Sequence, residues 1–583
     1  MSDLSALKSA ATINDVAILL GMKPAALAFI LYKIPDHLKY TTFTVPKKSG
    51  GDRIIFAPDE RLKLVQSRLG KLLEKCQLEV EAKLKVKPQC VLAHGFKPGF
   101  SIQTNAINHR GRRWVFNTDL QDFFPSINFG RVYGFFMKNN HYMLNKKVAT
   151  IISQIACHQN RLPQGSPCSP VISNIIAHLL DIRLNELAAS CGCTYTRYAD
   201  DLTFSTNEKA FPSSIAKRDP TNANKWHAGA GVIKRVAKAG FSINAQKTRM
   251  QYCHARQETT GLVVNKKVNV KSEYYKLARA MCRQLIITGV AFEKTGGVSV
   301  PMNPNKLRGM LAFIYNVKRW DDLRRKVPSK DTEQSCYYQV YADFLNYLSF
   351  HGHERPTIVC EGKTDNVYIK CALKSLSAHY PTLVQMNGVG KTLLIRLFKF
   401  TKSAEAVQHL SGGAGQLHRL LSDYRQMTKS FKGKSKHPTI LIVDNDSGAK
   451  SLLKHLGHVL KNKKIDGSDA FYFVYENLYV VPVPKVGGAP TAIEQLFDPA
   501  LLKTKLKGKT LDLTNNQKDG TKFYSKHEFS ISVIQKNQAS INFDGFKPLL
   551  NAIAAVQTDY AIKVAAAAGA VMTAGAAPAV VVP

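Results

Sequence analysis

Acidic residues are scarce in this sequence. Its 583 residues include 42 Asp and Glu against 81 Lys and Arg, which gives a formal net charge of +39. The basic residues are spread along the whole chain rather than gathered in a tail, which argues against a purely solubilising role. A deficit of this size indicates a polyanionic partner, and nucleic acid is the leading candidate.

The chain also lacks the patterns of several other protein classes. Its eleven cysteines include no pair of CxxC motifs with zinc spacing, so we expect reduced thiols in a cytosolic protein. The N-terminus carries Asp3 and no long apolar run, which argues against a signal peptide. Residues 564–583 have no charge, yet their Ala, Gly and Pro content predicts a weakly ordered tail rather than a membrane anchor.

Alternating patterns divide the chain into two parts. Strand-like and helical stretches alternate to about residue 270, and a helical, basic stretch follows to about 345. A polar break at 346–356 precedes a second alternation, which is typical of a parallel sheet with covering helices. We therefore predict an α/β and α+β multidomain chain with a boundary near residue 350. Residues 45–63 are predicted to form a basic hairpin, turning at Gly50–Gly51, and then a helix.

Two adjacent carboxylates interrupt a strand-like stretch, "TYTRYADDLTFST". The flanking runs predict two antiparallel strands with Asp200 and Asp201 at the turn. Asp119 follows the apolar strand Trp114–Phe116, and it converges on the pair if that strand lies beside the hairpin. Clustered carboxylates of this kind suit Mg²⁺ and two-metal phosphoryl transfer. The alternative for a lone Asp pair is a turn without chemistry.

Three motifs in this half resemble those of reverse transcriptases. They are "NTDLQDFF", "LPQGSPCSP" and "YADD", in the order and spacing of that family. The resemblance implies a right-hand polymerase over 1–345, with fingers and palm to about 270 and a helical thumb over 271–345. It implies that Asp119 and Asp200 bind two metal ions and that Asp201 supports them. The same resemblance assigns nucleotide contacts to Phe124 (an aromatic gate against a ribose 2′-OH), Gln164, Gly165 and Lys247. Arg53 in the finger-like hairpin either reaches phosphates or lies on a solvated basic strand.

Two further motifs resemble those of retron reverse transcriptases in particular. "TNAINH" contains Asn105 and His109 in the NAxxH pattern, and "ETTGLVV" is similar to VTG, with Thr259 in place of the usual Val before Thr260–Gly261. Both motifs are associated in that family with RNA recognition. The resemblance implies a bacterial, cytoplasmic enzyme that uses dNTPs to copy part of its own structured noncoding RNA. It primes from an internal guanosine 2′-OH and leaves a branched RNA–DNA product.

A second acidic set lies in the C-terminal half. Glu361 ends one apolar strand, and Asp444 and Asp446 end another; strand ends of this kind face the ligand-binding crevice of a parallel sheet. The alternative is a pair of acidic turns. The pattern resembles a Rossmann-like TOPRIM domain of OLD-family nucleases, over 357–560 with a tail at 561–583. It implies further metal ligands at Asp365 and Glu494, Mg²⁺ or Mn²⁺ as the ion, and a catalytic lysine at Lys526.

A glycine-containing segment, "NGVGKT", imitates a phosphate loop. The full pattern requires a glycine where this chain has Gln385. We therefore do not expect an ATPase, and we expect Lys391 to contact nucleic acid or solvent.

Together these features predict a retron reverse transcriptase fused to a TOPRIM nuclease-like effector, as part of an anti-phage system of the toxin–antitoxin kind. The expected partners are the cognate RNA, its branched product, dNTPs and a nucleic-acid target of the TOPRIM domain, with no membrane. Whether the chain forms a homo-oligomer is left open. The alternatives are a group II intron-like reverse transcriptase with an accessory TOPRIM domain, or a TOPRIM half that only binds.

Overall fold

The computed structural model describes residues 2–47, 50–87, 90–222, 224–388, 390–461, 465–513 and 519–574. The chain divides into two compact units. The first comprises Met1–Ser272 and Val317–Lys326, and the second comprises Glu273–Asn316 and Val327–Pro583. The helical stretch after residue 272 is therefore largely grouped with the C-terminal sheet.

The first unit combines helices with short antiparallel strands. Its helices are α1 (Asp3–Ser9), α2 (Ile13–Leu19), α3 (Pro24–Ala28), α4 (Asp36–Lys39), α5 (Glu60–Lys83), α6 (Ile102–Ala106), α7 (Phe129–Lys138), α8 (Lys146–Ala156), α9 (Ser169–Ser190) and α10 (Ala230–Lys238). Its strands are β1 (Tyr40–Pro46), β2 (Asp52–Pro58), β3 (Trp114–Gln121), β4 (Thr194–Tyr198), β5 (Asp201–Thr206), β6 (Ala216–Arg218), β7 (Trp226–Ala228), β8 (Ser242–Tyr252), β9 (Glu258–Thr259) and β10 (Leu262–Val263).

A four-stranded antiparallel sheet, in the order β4-β5-β3-β8, lies at the centre of this unit. Strands β4 and β5 form the predicted hairpin, with Tyr198 opposite Asp201. Ala199 in the turn has a φ of 55°, a left-handed conformation that costs a non-glycine residue about 1–2 kcal/mol. Strand β3 pairs with β5 and places Asp119 opposite Asp201. The predicted convergence of these strands is confirmed.

The basic hairpin near the N-terminus is also confirmed. Strands β1 and β2 pair from Tyr40 opposite Pro58 to Pro46 opposite Asp52. Gly50 and Gly51 have φ values of 87° and 73°, which a side chain would resist, so they suit the turn. Lys48 and Ser49 lie outside the described residues.

The second unit contains helices and a mixed set of strands. The helices in or entering it are α11 (Ser272–Thr288), α12 (Pro304–Arg324), α13 (Ser329–Gln334), α14 (Cys336–Phe350), α15 (Asp365–Ser375), α16 (Ala414–Thr428), α17 (Lys450–Val459), α18 (Pro499–Leu502), α19 (Lys526–Glu528) and α20 (Lys547–Ala574). The strands are β11 (Phe292–Thr295), β12 (Val298–Pro301), β13 (Thr357–Cys360), β14 (Val384–Asn387), β15 (Gly390–Leu393), β16 (Arg396–Leu397), β17 (Thr439–Val443), β18 (Tyr472–Tyr475), β19 (Leu478–Pro482), β20 (Thr510–Leu511) and β21 (Phe523–Tyr524).

Five of these strands form one sheet in the order β16-β13-β17-β19-β18. Strands β16, β13, β17 and β19 pair in parallel, as the alternating pattern predicts. The segment 471–484, "FYFVYENLYVVPVP", is almost continuously aromatic or apolar and predicts one long strand. This prediction is wrong, because β18 and β19 are two antiparallel strands. Glu476 between them has a φ of 49°, which reverses the chain. Strands β14 and β15 form a hairpin through "NGVGKT", whose Val389 lies outside the described residues.

The predicted linker at 346–356 includes the end of α14, whose last turn packs against the sheet. The Arg396 guanidinium donates to the carbonyl oxygens of Leu348, at 2.9 Å, and Ser349, at 2.7 Å. The Phe350 carbonyl oxygen accepts from the Tyr424 hydroxyl at 3.2 Å and from the Asn477 amide at 2.9 Å. These bonds satisfy carbonyl groups that a helix end otherwise leaves unpaired.

The Ala-rich C-terminus is helical in part. Helix α20 continues through Ala574, beyond the predicted start of a weakly ordered tail at 561, and residues 575–583 lie outside the described residues. Ala, which makes up much of this segment, has the highest helix propensity, which explains the extension. Among the described residues no single helix is both long and apolar enough to cross a bilayer. One pair, Ile13–Leu19 with Pro24–Lys33, meets that test only together and is bent by 107°.

Candidate active sites

The first acidic cluster lies where β3 meets the β4–β5 hairpin. Asp119 is opposite Asp201, and the Leu120 amide donates to the Asp200 carbonyl oxygen at 2.8 Å, which joins β3 to the turn itself. Asp201 Oδ1 is buried and has no hydrogen-bond partner among the described residues. A buried carboxylate oxygen without a partner is costly, so this atom is available for a ligand.

Burial and repulsion between carboxylates raise the pKa values of the two hairpin carboxyl groups. Burial, followed by the charge of Asp119, raises the pKa of Asp201 to about 7. The same two causes raise the pKa of Asp200. Burial and the neighbouring carboxylate therefore outweigh the basic side chains nearby, as expected for carboxylates that share a site.

Basic side chains also act on this cluster, and one of them, Arg249, lowers the pKa of Asp201. Lys247 on β8 donates from Nζ to Asp119 Oδ2 at 2.6 Å, and this bond raises the lysine pKa. Arg53, exposed on β2, is close enough to lower the pKa of Asp200. Contacts with nucleotide phosphates were predicted for Lys247 and Arg53, and in the structure both lie near the carboxylates.

The predicted nucleotide-contacting residues lie on neighbouring segments of the same unit. The Phe56 amide on β2 donates to the Gln164 carbonyl oxygen at 2.8 Å. Gly165 has a φ of 122°, and a Cβ there would lie 2.5 Å from the Phe56 carbonyl oxygen, so glycine is required at this contact. Phe124 is half-buried, with its ring centroid 6.0 Å from that of Phe96.

Asn105 and His109 are fully buried, so a direct contact of either side chain with RNA is ruled out in this conformation. His109 Nδ1 lies 2.7 Å from Ser205 Oγ, and its Nε2 lies 2.7 Å from Thr196 Oγ1. Thr196 Oγ1 also donates to Asn105 Oδ1 at 2.6 Å. Burial lowers the pKa of His109 to about 3, so the ring is neutral. Both residues therefore form hydrogen bonds with the strands of the acidic hairpin.

The other pair assigned to RNA recognition is accessible. Thr260, with a φ of 48°, and Gly261, with a φ of 79°, form the turn between β9 and β10. Gly261 is exposed, and Thr260 Oγ1 donates to the Ile102 carbonyl oxygen on α6 at 3.3 Å. This turn therefore rests on the helix that carries Asn105 and remains open to a ligand.

The second acidic cluster lies at the carboxyl ends of β13 and β17, which are parallel neighbours in the five-stranded sheet. Glu361 follows β13, and Asp444 follows β17. Asp365 begins α15, and its Oδ2 accepts from the Gly362 amide at 2.6 Å. Asp444 Oδ1 accepts from the Ile493 amide at 2.9 Å, which brings the turn carrying Glu494 to the same edge.

Carboxyl groups in this second cluster also have raised pKa values. Burial, together with the charges of Asp365 and Glu361, raises the pKa of Asp444 to about 8. Burial, with a contribution from Glu494, raises the pKa of Asp365 to about 6. The pKa of Glu361 is raised by burial and by the charge of Asp446, whereas hydrogen bonds from the Asp444 and Ala414 amides lower it. The five predicted ligands therefore interact electrostatically.

Lys526 and Asp446 already have partners within the protein. Lys526 Nζ forms an ion pair with Glu494 Oε1 at 3.0 Å, with side chains 24% and 3% exposed. Asp446 Oδ1 accepts from the Gly448 amide at 2.8 Å and so supports the turn before α17. A metal ion at Glu494 would compete with the lysine for that carboxylate.

The donor chemistry of both clusters fits a hard divalent cation, which prefers carboxylate oxygens. Across the described ranges, no three His, Cys, Asp or Glu side chains are already grouped closely enough to enclose a metal ion. The fit in the first cluster rests on the unpaired Oδ1 of Asp201, and in the second on the raised pKa values of Asp444 and Asp365.

One buried residue next to the first cluster was not predicted from the sequence. Arg197, one residue before Tyr198, is completely buried and forms an ion pair with Asp181 on α9. The signal was available, since a charged residue in the middle of an alternating apolar strand requires a buried partner. Its partner, sixteen residues away on a helix, was not evident from the pattern.

Comparison with known proteins agrees with this geometry. Residues 45–276 match the family model described as reverse transcriptase (RNA-dependent DNA polymerase). That range includes the four-stranded sheet, its three Asp residues and the segment around Gly165. This part of the chain, of mixed α/β architecture, is therefore similar to reverse transcriptases, which are RNA-directed DNA polymerases.

Individual relatives identify the family of this chain more closely. The Retron Mx65 reverse transcriptase of Myxococcus xanthus is 37% identical over 343 residues, which cover 55% of this chain and 72% of the relative. The Retron Ec86 reverse transcriptase of Escherichia coli is 32% identical over 282 residues, or 48% and 77% of the two chains. The Retron Mx162 reverse transcriptase of Myxococcus xanthus is 32% identical, over 51% and 62%. The chain belongs to the retron reverse transcriptases.

Proposed function

We propose that Asp119, Asp200 and Asp201 form the polymerase site of this reverse transcriptase. The observation that carries the proposal is their convergence, from β3 and the β4–β5 turn, around the unpaired Asp201 Oδ1. Asp119 and Asp200 would hold Mg²⁺ or Mn²⁺, and Asp201 would support them. Bound there, the ions supply charge stabilisation for attack of a primer hydroxyl on a nucleotide phosphate.

The surrounding side chains have separate tasks in this proposal. Lys247 neutralises Asp119 in the free protein and, with Arg53, is positioned to pair with the triphosphate once the carboxylates are engaged. Gln164 and Gly165 form the surface that the nucleotide approaches, held against β2 by the Phe56 amide. Phe124 limits space beside Phe96 and thereby excludes a ribose 2′-OH.

The substrate is proposed to be a structured noncoding RNA, copied with dNTPs into a branched RNA-linked DNA. The retron relatives and the net charge of +39 support this proposal. Thr260 and Gly261 are the accessible residues of the two retron-like motifs, so they are the proposed RNA contacts. Asn105 and His109 contribute indirectly, through β4 and β5.

The second acidic cluster is proposed to be a TOPRIM-like nuclease site. Support comes from Glu361 and Asp444 at the ends of adjacent parallel strands, with Asp365, Asp446 and Glu494 near them. Lys526 would stabilise charge that develops on a phosphate. We further propose that the branched product restrains this activity and that phage interference releases it. Sensing and toxicity would then reside in one chain.

A pH-dependent response to Mg²⁺ tests the first proposed metal site. Because the pKa of Asp201 is about 7, the folded protein binds this proton more tightly than the unfolded chain does. In the absence of metal, its contribution to stability therefore falls as pH rises from about 4 to 7. Mg²⁺ requires the ionised carboxylate, whose population increases about tenfold between pH 6 and pH 8. We expect Mg²⁺ to raise the melting temperature more at pH 8 than at pH 6.

The second cluster responds to Mg²⁺ as well, so the measurement compares two proteins. The difference in melting temperature between the wild type and Asp201→Asn isolates the first cluster. We expect this difference to grow with pH in Mg²⁺. An Mg²⁺ effect that is identical in the two proteins at both pH values would refute the assignment of Asp201.

A further inference from the structure

The carbonyl oxygen of Ala199, in the turn that presents Asp200 and Asp201, is held by a buried ion pair. Arg197 Nη1 donates to this oxygen at 3.0 Å. The other edge of the same guanidinium binds Asp181 twice, through Nε to Oδ1 and through Nη2 to Oδ2, each at 2.7 Å. Arg197 is 0% exposed and Asp181 is 1% exposed, so water does not compete for these bonds.

Helix α9 fixes the position of this pair. The Tyr195 hydroxyl donates to Asp181 Oδ1 at 2.9 Å, and Arg197 Nη1 donates to Asn174 Oδ1 at 3.2 Å. Asp181 and Asn174 lie seven residues apart, which places them on one face of the helix. The guanidinium thus connects a rigid element to the turn through a planar group that cannot rotate without breaking several bonds.

A glycine also packs closely against the turn. The Arg197 amide donates to the Leu92 carbonyl oxygen at 2.8 Å, and the His94 amide donates to the Arg197 carbonyl oxygen at 2.8 Å. This pairing brings Gly95 so close that a Cβ on it would lie 2.7 Å from the Ala199 nitrogen. The Asn174 amide, in turn, donates to the Gly95 carbonyl oxygen at 2.7 Å.

We infer that Asp181 and Arg197, together with Gly95, are positioning residues that impose the left-handed conformation of Ala199 and so aim Asp200 at Asp119. None of them contacts the nucleotide in this account, and their effect on the reaction passes through the turn. The inference rests on the proposed catalytic role of Asp200 and Asp201. It predicts that the chemical step, rather than substrate binding, depends on residues that lie beneath the active site.

The test compares Arg197→Lys with Arg131→Lys in the full-length protein. Arg131 is a half-buried arginine that donates to the carbonyl oxygens of Ser126, Ala239 and Gly240, and none of these bonds involves the turn. Both substitutions keep the charge and remove the planar fork, so both are expected to lower the melting temperature. Active-site titration followed by single-turnover extension gives the rate per active molecule, which corrects for misfolded protein.

We expect Arg197→Lys to lower the maximal incorporation rate per active molecule by roughly 10- to 100-fold, the scale of a misplacement of about 1 Å. The dNTP concentration at half-maximal rate should change less than about threefold. Arg131→Lys should retain the wild-type rate per active molecule. Gly95→Ala removes no atom of the ion pair but places a Cβ 2.7 Å from the Ala199 nitrogen, so it should displace the turn and reproduce the loss.

The outcomes separate this inference from the assignment on which it rests. Wild-type rates per active molecule in both Arg197→Lys and Gly95→Ala would overturn it, provided that Asp200→Asn is inactive. Synthesis that persists in Asp200→Asn would instead refute the polymerase assignment itself. A loss in Arg197→Lys equal to that in Arg131→Lys would indicate a general effect on stability and would also contradict the inference.

Discussion

Asp200→Asn is expected to lower the rate of nucleotide incorporation by roughly a thousandfold or more. The amide has the shape of the carboxyl group but not its charge, so it cannot hold a divalent cation against water. Removing the charge also relieves the repulsion from Asp119 that raises the pKa of Asp200. The variant is therefore expected to fold at least as stably as the wild type while it loses activity. Single-turnover extension of a DNA primer on an RNA template measures the rate.

The matched control for this experiment is Asp36→Asn. Asp36 is 84% exposed and pairs with Lys39 on the surface of α4, an interaction worth less than about 1 kcal/mol. Its substitution should leave the incorporation rate within about twofold of the wild type. An Asp200→Asn protein that incorporates nucleotides at a rate near that of Asp36→Asn would exclude this turn as the polymerase site.

Asp444→Asn is expected to abolish protection against phage without affecting DNA synthesis. Asp444 has the most strongly raised pKa of the second cluster, about 8, because burial and the charges of Asp365 and Glu361 disfavour its ionised form. A bound cation would reverse this cost, and the amide variant could not bind it. Plaque counts on cells that express the whole system should rise to those of cells without it, and Glu361→Gln should behave in the same way.

Asp423→Asn controls for the loss of an acidic residue in the same unit. Asp423 is 61% exposed and pairs with Arg419 one turn away on α16. This variant should protect cells as the wild type does. If Asp444→Asn and Glu361→Gln also protect fully, the second cluster is not an effector site, and a binding role for this part of the chain becomes the better explanation.

Some features of the fold could be predicted because they depend on local pattern. The β4–β5 hairpin combines alternating apolar residues with a charged turn. The apolar strand before Asp119 lies beside this hairpin, which is the arrangement on which the predicted convergence depended. Glu361 and Asp444 were predicted at one sheet edge because both follow short apolar strands that α/β topology makes parallel.

Other features depend on contacts between distant residues. His109 is polar, and only the hydroxyl groups of Thr196 and Ser205, both more than eighty residues away in sequence, explain its burial. The break between β18 and β19 was missed because "FYFVYENLYVVPVP" is almost continuously aromatic or apolar, and the turn depends on the left-handed conformation of Glu476. The end of α14 was read as a linker because its caps come from Arg396 and Asn477 on later elements.

Of the residues in the two retron-like motifs that were predicted to recognise RNA, Thr260 and Gly261 are accessible. They mark the β9–β10 turn as open, with Thr260 anchored to α6 by its hydroxyl. The buried half of the same signature, Asn105 and His109, lies between that turn and the acidic hairpin. The motif pattern marks the segments that carry these residues, but it does not show which of their side chains reach the solvent.

Sequencing the nucleic acid that co-purifies with the full-length protein tests the central claim most directly. We expect the wild-type protein to retain an RNA joined through an internal 2′-linkage to single-stranded DNA copied from the same RNA. The Asp200→Asn protein should retain the RNA without the DNA. Recovery of RNA alone from the wild type, or of DNA with no covalent link to its template RNA, would contradict the account.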